Sequence, residues 1–383
     1  MNKLIFGVIG TSRKIDERRF PIHPDHLLRI SEHARQQLVF EKGYGQAFGI
    51  DDAKIAAQTG GIATRHELLA DIGNVILPKP MLSDLQELRT GGILWGWPHC
   101  VQQSSITQVA IDRKQTIIAF EDMFVWGPNK QIGRHTFYKN NELAGYAAVL
   151  HALQLMGIDG HYGNQRKIII FSFGAVSRGA IYALKARGFI DITICIHRPD
   201  CQVREEVLGC HYVRLREGKS NEARMLVVEH DGTERPLTEL ISQSDIIVNG
   251  TYQNPDHPTF FVTEDEKSTL KPGCLIIDVS CDENMGFFFA KPTTFKDPMF
   301  KVGNVNYYAV DHTPSYLWES ASRSISAALL IHLPTVLAGP SEWQLSDTIR
   351  RSINIEAGVI KNPAILSFQK RQPGYPHAPI DED

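Results

Sequence analysis

The chain lacks an apolar run approaching the ~20 residues that span a bilayer. Runs such as KIIIF, residues 167–171, are far shorter. The opening MNKLIFGVIG carries one lysine and a short β-branched stretch with no small-residue cleavage site after it, so it reads as a buried first strand and not as a signal peptide. Cysteine is sparse: six residues, at 100, 195, 201, 210, 274 and 281, form no CxxC pair. That excludes a zinc cage and a secreted disulfide framework and points to reduced thiols in the cytoplasm. Neither charge dominates, with 40 Lys and Arg against 43 Asp and Glu for a net −3, and no basic stripe suggests nucleic acid. No repeat or low-complexity tract is visible. What remains is a chain of 383 residues, 43% hydrophobic, with the length of a two-domain soluble protein.

Short apolar runs at residues 4–10, 37–40, 74–77, 92–97 and 116–120 alternate with helix-like stretches at 26–36 and 51–58. This alternation predicts a parallel sheet covered on both faces. Residues 126–139 are polar and read as a boundary loop, followed by a helix over 141–156 capped by Asn140 or Asn141 and ended by Gly157. Further strands are expected at 192–196, 245–249, 274–279 and 307–310, and a long helix at 315–338. The proline-bearing tail, with Pro340, Pro363, Pro373, Pro376 and Pro379, reads as wrapping the surface. The predicted fold is α/β, two Rossmann-like domains with parallel sheets. Residues 138–312 would form the dinucleotide-binding domain, inserted into a substrate domain of residues 1–137 and 313–383, with the active site in the interdomain cleft.

The run KIIIFSF leads into Gly174-Ala175-Val176-Ser177-Arg178-Gly179 and then an apolar helical pattern. Such a strand–turn–helix lets backbone amides meet a pyrophosphate at the positive end of a helix. The GxGxxG positions here are Ser172, Gly174 and Ser177, and an ordinary βα turn is the alternative. The next strand ends in Ile196-His197-Arg198, with its first acid delayed to Asp200. A cation at that tip favours NADP over NAD, unless Arg198 is only a solvated loop residue.

Three groups mark strand ends in the first domain: Arg18-Arg19 after Asp16-Glu17, Lys79 between two prolines, and His99 after GGILWGWP. An Arg can clamp a carboxylate, and a Lys with a His can move protons on a carbonyl or imine. In this order, ERRFPIHP, GGILWGWPH, NELAGYAA, DIIVNGTYQNPDHPTF, LIIDVSCDENMGF and YYAVDHTPSYLWESAS resemble the alanine dehydrogenase and saccharopine dehydrogenase superfamily over nearly the whole chain. DVSCD with VDHTPS resembles the saccharopine-like branch, closest to the N5-(carboxyethyl)ornithine synthases, which are NADPH-dependent opine-type enzymes.

The resemblance implies Arg19 as the substrate-carboxylate clamp and His99 as catalytic acid/base, with Asp282 near the nicotinamide and His312 in the loop beside it. Lys79 would be the catalytic lysine, one residue beyond the family register, where Pro78 stands. Ser172, Gly174, Ala175, Val176, Ser177, His197, Arg198, Gly250, Val279 and His312 would meet the cofactor, and no metal is required. A second, amine-bearing acid would find Glu121, Asp122, Trp126, Tyr316, Trp318 and Glu319, although for the aromatics interdomain packing is the leading alternative. The implied reaction is reductive condensation of a keto acid such as pyruvate with the amine of ornithine or lysine, in a cytoplasmic homo-oligomer. An amino-acid dehydrogenase using ammonia and a catalytically silent NADP-binding member are the alternatives.

Overall fold

The computed structural model describes residues 4–197, 205–219, 224–254 and 256–380. It divides into two units, Met1–Tyr138 with Trp318–Asp383, and Lys139–Leu317.

In the first unit the strands Phe6–Val8, Leu38–Glu41, Ile62–Ala63, Asn74–Ile76, Ile93–Gly96 and Thr116–Ala119 are parallel. Their spatial order is third, second, first, fourth, fifth, sixth. Successive residues face opposite layers. Ile76, Trp95 and Ile118 pack with Ile325, Leu329 and Leu333 of the helix Trp318–Ala338, whereas Val75, Leu94 and Ile117 pack with Leu85, Ile106 and Ala110. A sheet buried on both faces needs continuous apolar strands, which is why the short runs are visible in the sequence. By length and composition residues 313–338 could cross a membrane, yet Ile325, Leu329, Leu333 and Leu337 of that stretch lie in this core.

The second unit repeats the order. Strands Ile168–Phe171, Ile192–Ile196, His211–Glu217, Ile246–Asn249, Leu275–Asp278 and Val305–Tyr308 are parallel, again third, second, first, fourth, fifth, sixth. This is the doubly wound dinucleotide-binding order, whose ligands sit where the order reverses, outside the carboxyl ends of the first and fourth strands. One face carries the helix Ala175–Ala186 and Ala148, Val149 and Ala152 of the helix Tyr138–Met156.

Three expectations are corrected. The long helix begins at Tyr138, so Asn140 is buried within its first turn and neither Asn140 nor Asn141 precedes it as a cap. The boundary loop contains a hairpin, Phe124–Trp126 against Ile132–His135. The tail does not merely wrap the surface: Ile353–Glu356 joins the first sheet antiparallel to Thr116–Ala119. Pro340 and Pro363 open helices, a position where a missing N–H costs nothing.

Candidate active site and dinucleotide site

In the first unit, Lys79 follows the fourth strand, Trp97-Pro98-His99 the fifth, and Glu121 the sixth. Parallel strands bring their carboxyl ends to one edge, so these side chains converge. Lys79 Nζ and His99 Nε2 stand 2.7 Å apart. At that distance one nitrogen donates a hydrogen bond to the other, a geometry suited to passing a proton between them. The backbone of Lys79 is held by the Ser12 hydroxyl, which donates to its carbonyl at 2.8 Å.

His99 has φ +51°, a left-handed conformation that costs a non-glycine residue roughly 1–2 kcal/mol. Its N–H donates to Glu121 Oε1 at 2.8 Å, which helps hold that conformation. Glu121 Oε2 is buried and has no hydrogen-bond partner among the described residues. Burial, with repulsion from Asp122, pushes the Glu121 carboxyl up to about 8. Asp122 is also raised by burial, and it accepts from Asn362 Nδ2 at 3.2 Å.

That shift has a stability consequence. An unfolded Glu121 titrates near 4.5, so between about pH 4.5 and pH 8 the folded chain holds a proton that the unfolded chain has released. Stability from this group is therefore full below pH 4.5 and lost as the pH rises towards 8. Glu121→Gln keeps an acceptor for the His99 N–H and removes the titration. The Tm of the variant should gain on the wild type steadily as pH rises through this window, and a pH-independent difference would show that Glu121 is not the proton-holding group.

Arg19 is 4% exposed. Its Nε donates to Glu17 Oε1 at 2.8 Å and its Nη2 to Glu17 Oε2 at 2.6 Å, while the guanidinium lies 5.2 Å from the centre of the Trp97 ring. The Nε–Nη2 edge of the fork thus belongs to Glu17, so the simple two-pronged clamp expected from the sequence is not formed by that edge. The sequence reading missed Glu17, whose only signal is an acid two residues before the arginine.

In the second unit the turn after Ile168–Phe171 lies at the reversal of strand order. Ser172 has φ +76°, the conformation a glycine would supply, and its hydroxyl bonds Ser177 Oγ at 2.8 Å and the Gly250 carbonyl at 2.9 Å. A Cβ on Gly174 would meet nothing within 4 Å, so the backbone there is open to a ligand. The helix Ala175–Ala186 has no side-chain cap, which leaves the Ala175, Val176 and Ser177 end of the helix to an anion. These residues fit a dinucleotide pyrophosphate.

Gly179, not Ser177, brings the helix close to its neighbour: a Cβ there would lie 1.8 Å from the Glu142 carbonyl oxygen. Gly145 answers from the other helix, 1.9 Å from the Val176 carbonyl oxygen. Neither glycine was singled out from the sequence, because the GxGxxG register counts Ser177 as its third position.

At the neighbouring strand tips, Val279 N–H donates to the Asn249 carbonyl at 2.9 Å, and Asn249 Nδ2 and the Tyr307 hydroxyl both donate to Asp278. Asn249 is fully buried, which removes the sequon-like Asn249-Gly250-Thr251 from consideration for glycosylation. Burial raises Asp282 to about 6. His312 is 3% exposed; its Nδ1 contacts Asp311 Oδ1 at 2.5 Å and its buried Nε2 has no hydrogen-bond partner among the described residues. His197 is exposed at the second strand tip, and Arg198 lies outside the described residues.

The residues expected to seat a second substrate each have neighbours within their own unit. Trp126 lies beneath Arg351, 4.0 Å from ring centre to guanidinium, and Glu319 pairs with Arg323 and His23. The Tyr316 hydroxyl donates to Gln154 in the second unit. Trp318 stands near Arg18 in the first.

A family model described as alanine dehydrogenase/PNT, C-terminal domain, matches residues 167–363. The N(5)-(carboxyethyl)ornithine synthase of Clostridium botulinum is 26% identical over 334 residues, 83% of this chain and 90% of its own length. The alanine dehydrogenase of Halomonas elongata is 23% identical over 348 residues, 86% of this chain and 87% of its own. Among solved structures, an L-alanine dehydrogenase superposes with a TM-score of 0.71 at 16% identity, covering 95% of this chain and 99% of that one. A transhydrogenase from Sinorhizobium meliloti gives 0.67 at 16% identity, covering 94% and 99%.

Proposed function

The chain belongs to the alanine dehydrogenase/PNT family, and from that premise we propose that it is an NADPH-dependent opine-type dehydrogenase. It would join a keto acid such as pyruvate to the amine of an amino acid such as ornithine or lysine. The observation that carries the reading is the Lys79–His99 contact of 2.7 Å at the carboxyl edge of the first sheet.

In this reading residues 1–137 with 313–383 are the substrate domain and residues 138–312 the dinucleotide domain. Arg19, oriented by Glu17 and Trp97, supplies the positive charge for the keto-acid carboxylate. The amine attacks the keto carbon to give a carbinolamine. His99 protonates the departing hydroxyl, so water leaves and an imine forms, and Lys79 returns a proton to His99. Asp282 orients the amine or the nicotinamide side. The amides of Ala175, Val176 and Ser177 would hold the pyrophosphate, with Ser172, Gly174 and Gly250 around it, while Val279 would also meet the cofactor and His312 would lie beside Asp282 near the nicotinamide. His197 would stand towards the ribose 2′-phosphate, for which the sequence offers Arg198, outside the described residues, as a cation. The bound nicotinamide supplies the hydride that reduces the imine.

Five described cysteines are free, which suits a reducing compartment, and self-association completes the reading. The test is oxidation of NADPH with pyruvate plus ornithine, lysine or ammonia. Turnover with an amino acid is expected. Turnover with ammonia alone selects an amino-acid dehydrogenase, and none with any keto acid–amine pair would defeat the enzymatic reading.

A further inference from the structure

A cavity of about 500 Å³ lies beside the helix Ser104–Asp112 in the first unit, lined by Gln102, Ser104, Ser105, Gln108, Gln369 and Arg371 among others. Its size falls within the range of small-molecule sites, roughly 300–1,000 Å³. Its described lining holds none of the residues expected to meet substrate or cofactor, and no acid.

Arg371 sets this cavity apart. It is 5% exposed, yet no carboxylate among the described residues forms an ion pair with it. Its Nε donates to Gln369 Oε1 at 2.7 Å, and its Nη1 to Gln108 Oε1 at 2.7 Å and to the His377 carbonyl at 3.1 Å. All three acceptors are neutral, and Nη2 makes no hydrogen bond among the described residues. Asp112 attracts the guanidinium from beyond ion-pair distance and accepts from Gln108 Nε2 at 2.8 Å. A buried cation without an ionic partner is costly, and burial pushes the Arg371 pKa down.

The same cavity takes in the start of the helix Ser104–Asp112. Gln103, which precedes it, provides no side-chain cap, so the first-turn N–H groups have no partner from that quarter. Ser104 and Ser105 are exposed, and their hydroxyls make no hydrogen bond among the described residues. The positive end of a helix dipole and an uncompensated guanidinium thus line one space. We infer that this cavity binds a small oxyanion, a carboxylate or phosphate group, with Arg371 as its counter-ion and Ser104 and Ser105 as hydrogen-bond donors. Gln369, held by Arg371, donates through Nε2 to the carbonyls of Cys100 at 2.6 Å and Val101 at 3.1 Å. The anion therefore bears on the loop that follows His99. It is an effector of that loop and not a substrate, and the site does not depend on the reaction proposed above.

The test is calorimetric titration of the full-length protein with inorganic phosphate and, separately, with acetate, at an ionic strength held constant with potassium chloride. Amide hydrogen exchange with and without the anion then locates it. The bound anion should slow exchange in peptides covering residues 99–108 and 366–372. Binding of phosphate alone marks a phosphate-bearing ligand and binding of acetate alone a carboxylate, and either supports the site. Arg371→Gln should weaken binding about tenfold or more, the effect of one charge-assisted contact. Ser105→Asp keeps the guanidinium and sets a carboxylate in the first turn, so it should abolish binding and raise the Tm. That variant decides the matter if Arg371→Gln does not fold. Absence of binding by the wild type, full affinity in either folded variant, or protection confined to residues 172–179 at the dinucleotide turn would overturn the site.

Discussion

Replacing His99 by Ala should cut turnover of the keto acid–amine pair by at least about 100-fold, the range lost when a positioned acid/base is removed. The imidazole is not part of the apolar core, so the variant should fold: the fifth strand is anchored by Leu94 and Trp95, on opposite faces of the sheet. The backbone N–H of residue 99 can still donate to Glu121, and alanine bears the left-handed conformation at about the same cost as histidine. The loss is thus confined to the ring that contacts Lys79. Because Lys79 and His99 are in hydrogen-bond contact and would act as one unit, their removal should be strongly non-additive. Lys79→Ala should fall into the same range, and the double variant should be little worse than either. Steady-state kinetics on folded protein, judged by circular dichroism, decides it. Near-normal turnover of His99→Ala, or losses that multiply in the double variant, would remove the pair from the chemistry.

The strands that carry this site were visible in the sequence because they are buried on both faces and read as continuous apolar runs, whereas His211–Glu217, with its alternating charged residues, was not. Runs at 74–77, 92–97 and 192–196 fall on Asn74–Ile76, Ile93–Gly96 and Ile192–Ile196. What could not be read is what depends on spatial neighbours. Ile353–Glu356 is a short strand among prolines and becomes one only because Thr116–Ala119 offers an open edge. The turn at Ser172 hides its left-handed backbone behind a side chain that pairs with Ser177 and Gly250. Glu121 is an ordinary acid in sequence, and only burial beside Asp122 makes it a proton holder near neutral pH. Lys79, one residue out of the family register, reaches His99 because Ser12 fixes its backbone from another strand end.

The second large effect is expected at the glycines of the dinucleotide unit, where two substitutions of the same kind should differ in their effect on stability. Gly179→Ala places a Cβ 1.8 Å from the Glu142 carbonyl oxygen and 2.6 Å from its carbon. Both are main-chain atoms of the helix Tyr138–Met156, so no side chain can swing away. The helices must part, and over-packing of this kind costs about 3 kcal/mol or more when backbone has to move. The better helix propensity of alanine, worth up to about 1 kcal/mol, does not offset it. Parting the helices also shifts the first turn of Ala175–Ala186, so NADPH should bind more weakly as well. Gly174→Ala differs, since its Cβ would meet nothing within 4 Å of protein and its φ of −88° suits any residue. That variant should keep the Tm of the wild type and lose only NADPH affinity, because the added methyl occupies the approach of the pyrophosphate. Thermal unfolding with NADPH titration separates the two. A Gly174→Ala protein that binds NADPH normally would move the pyrophosphate away from this turn, and an undiminished Tm in Gly179→Ala would show that the helices have room to part.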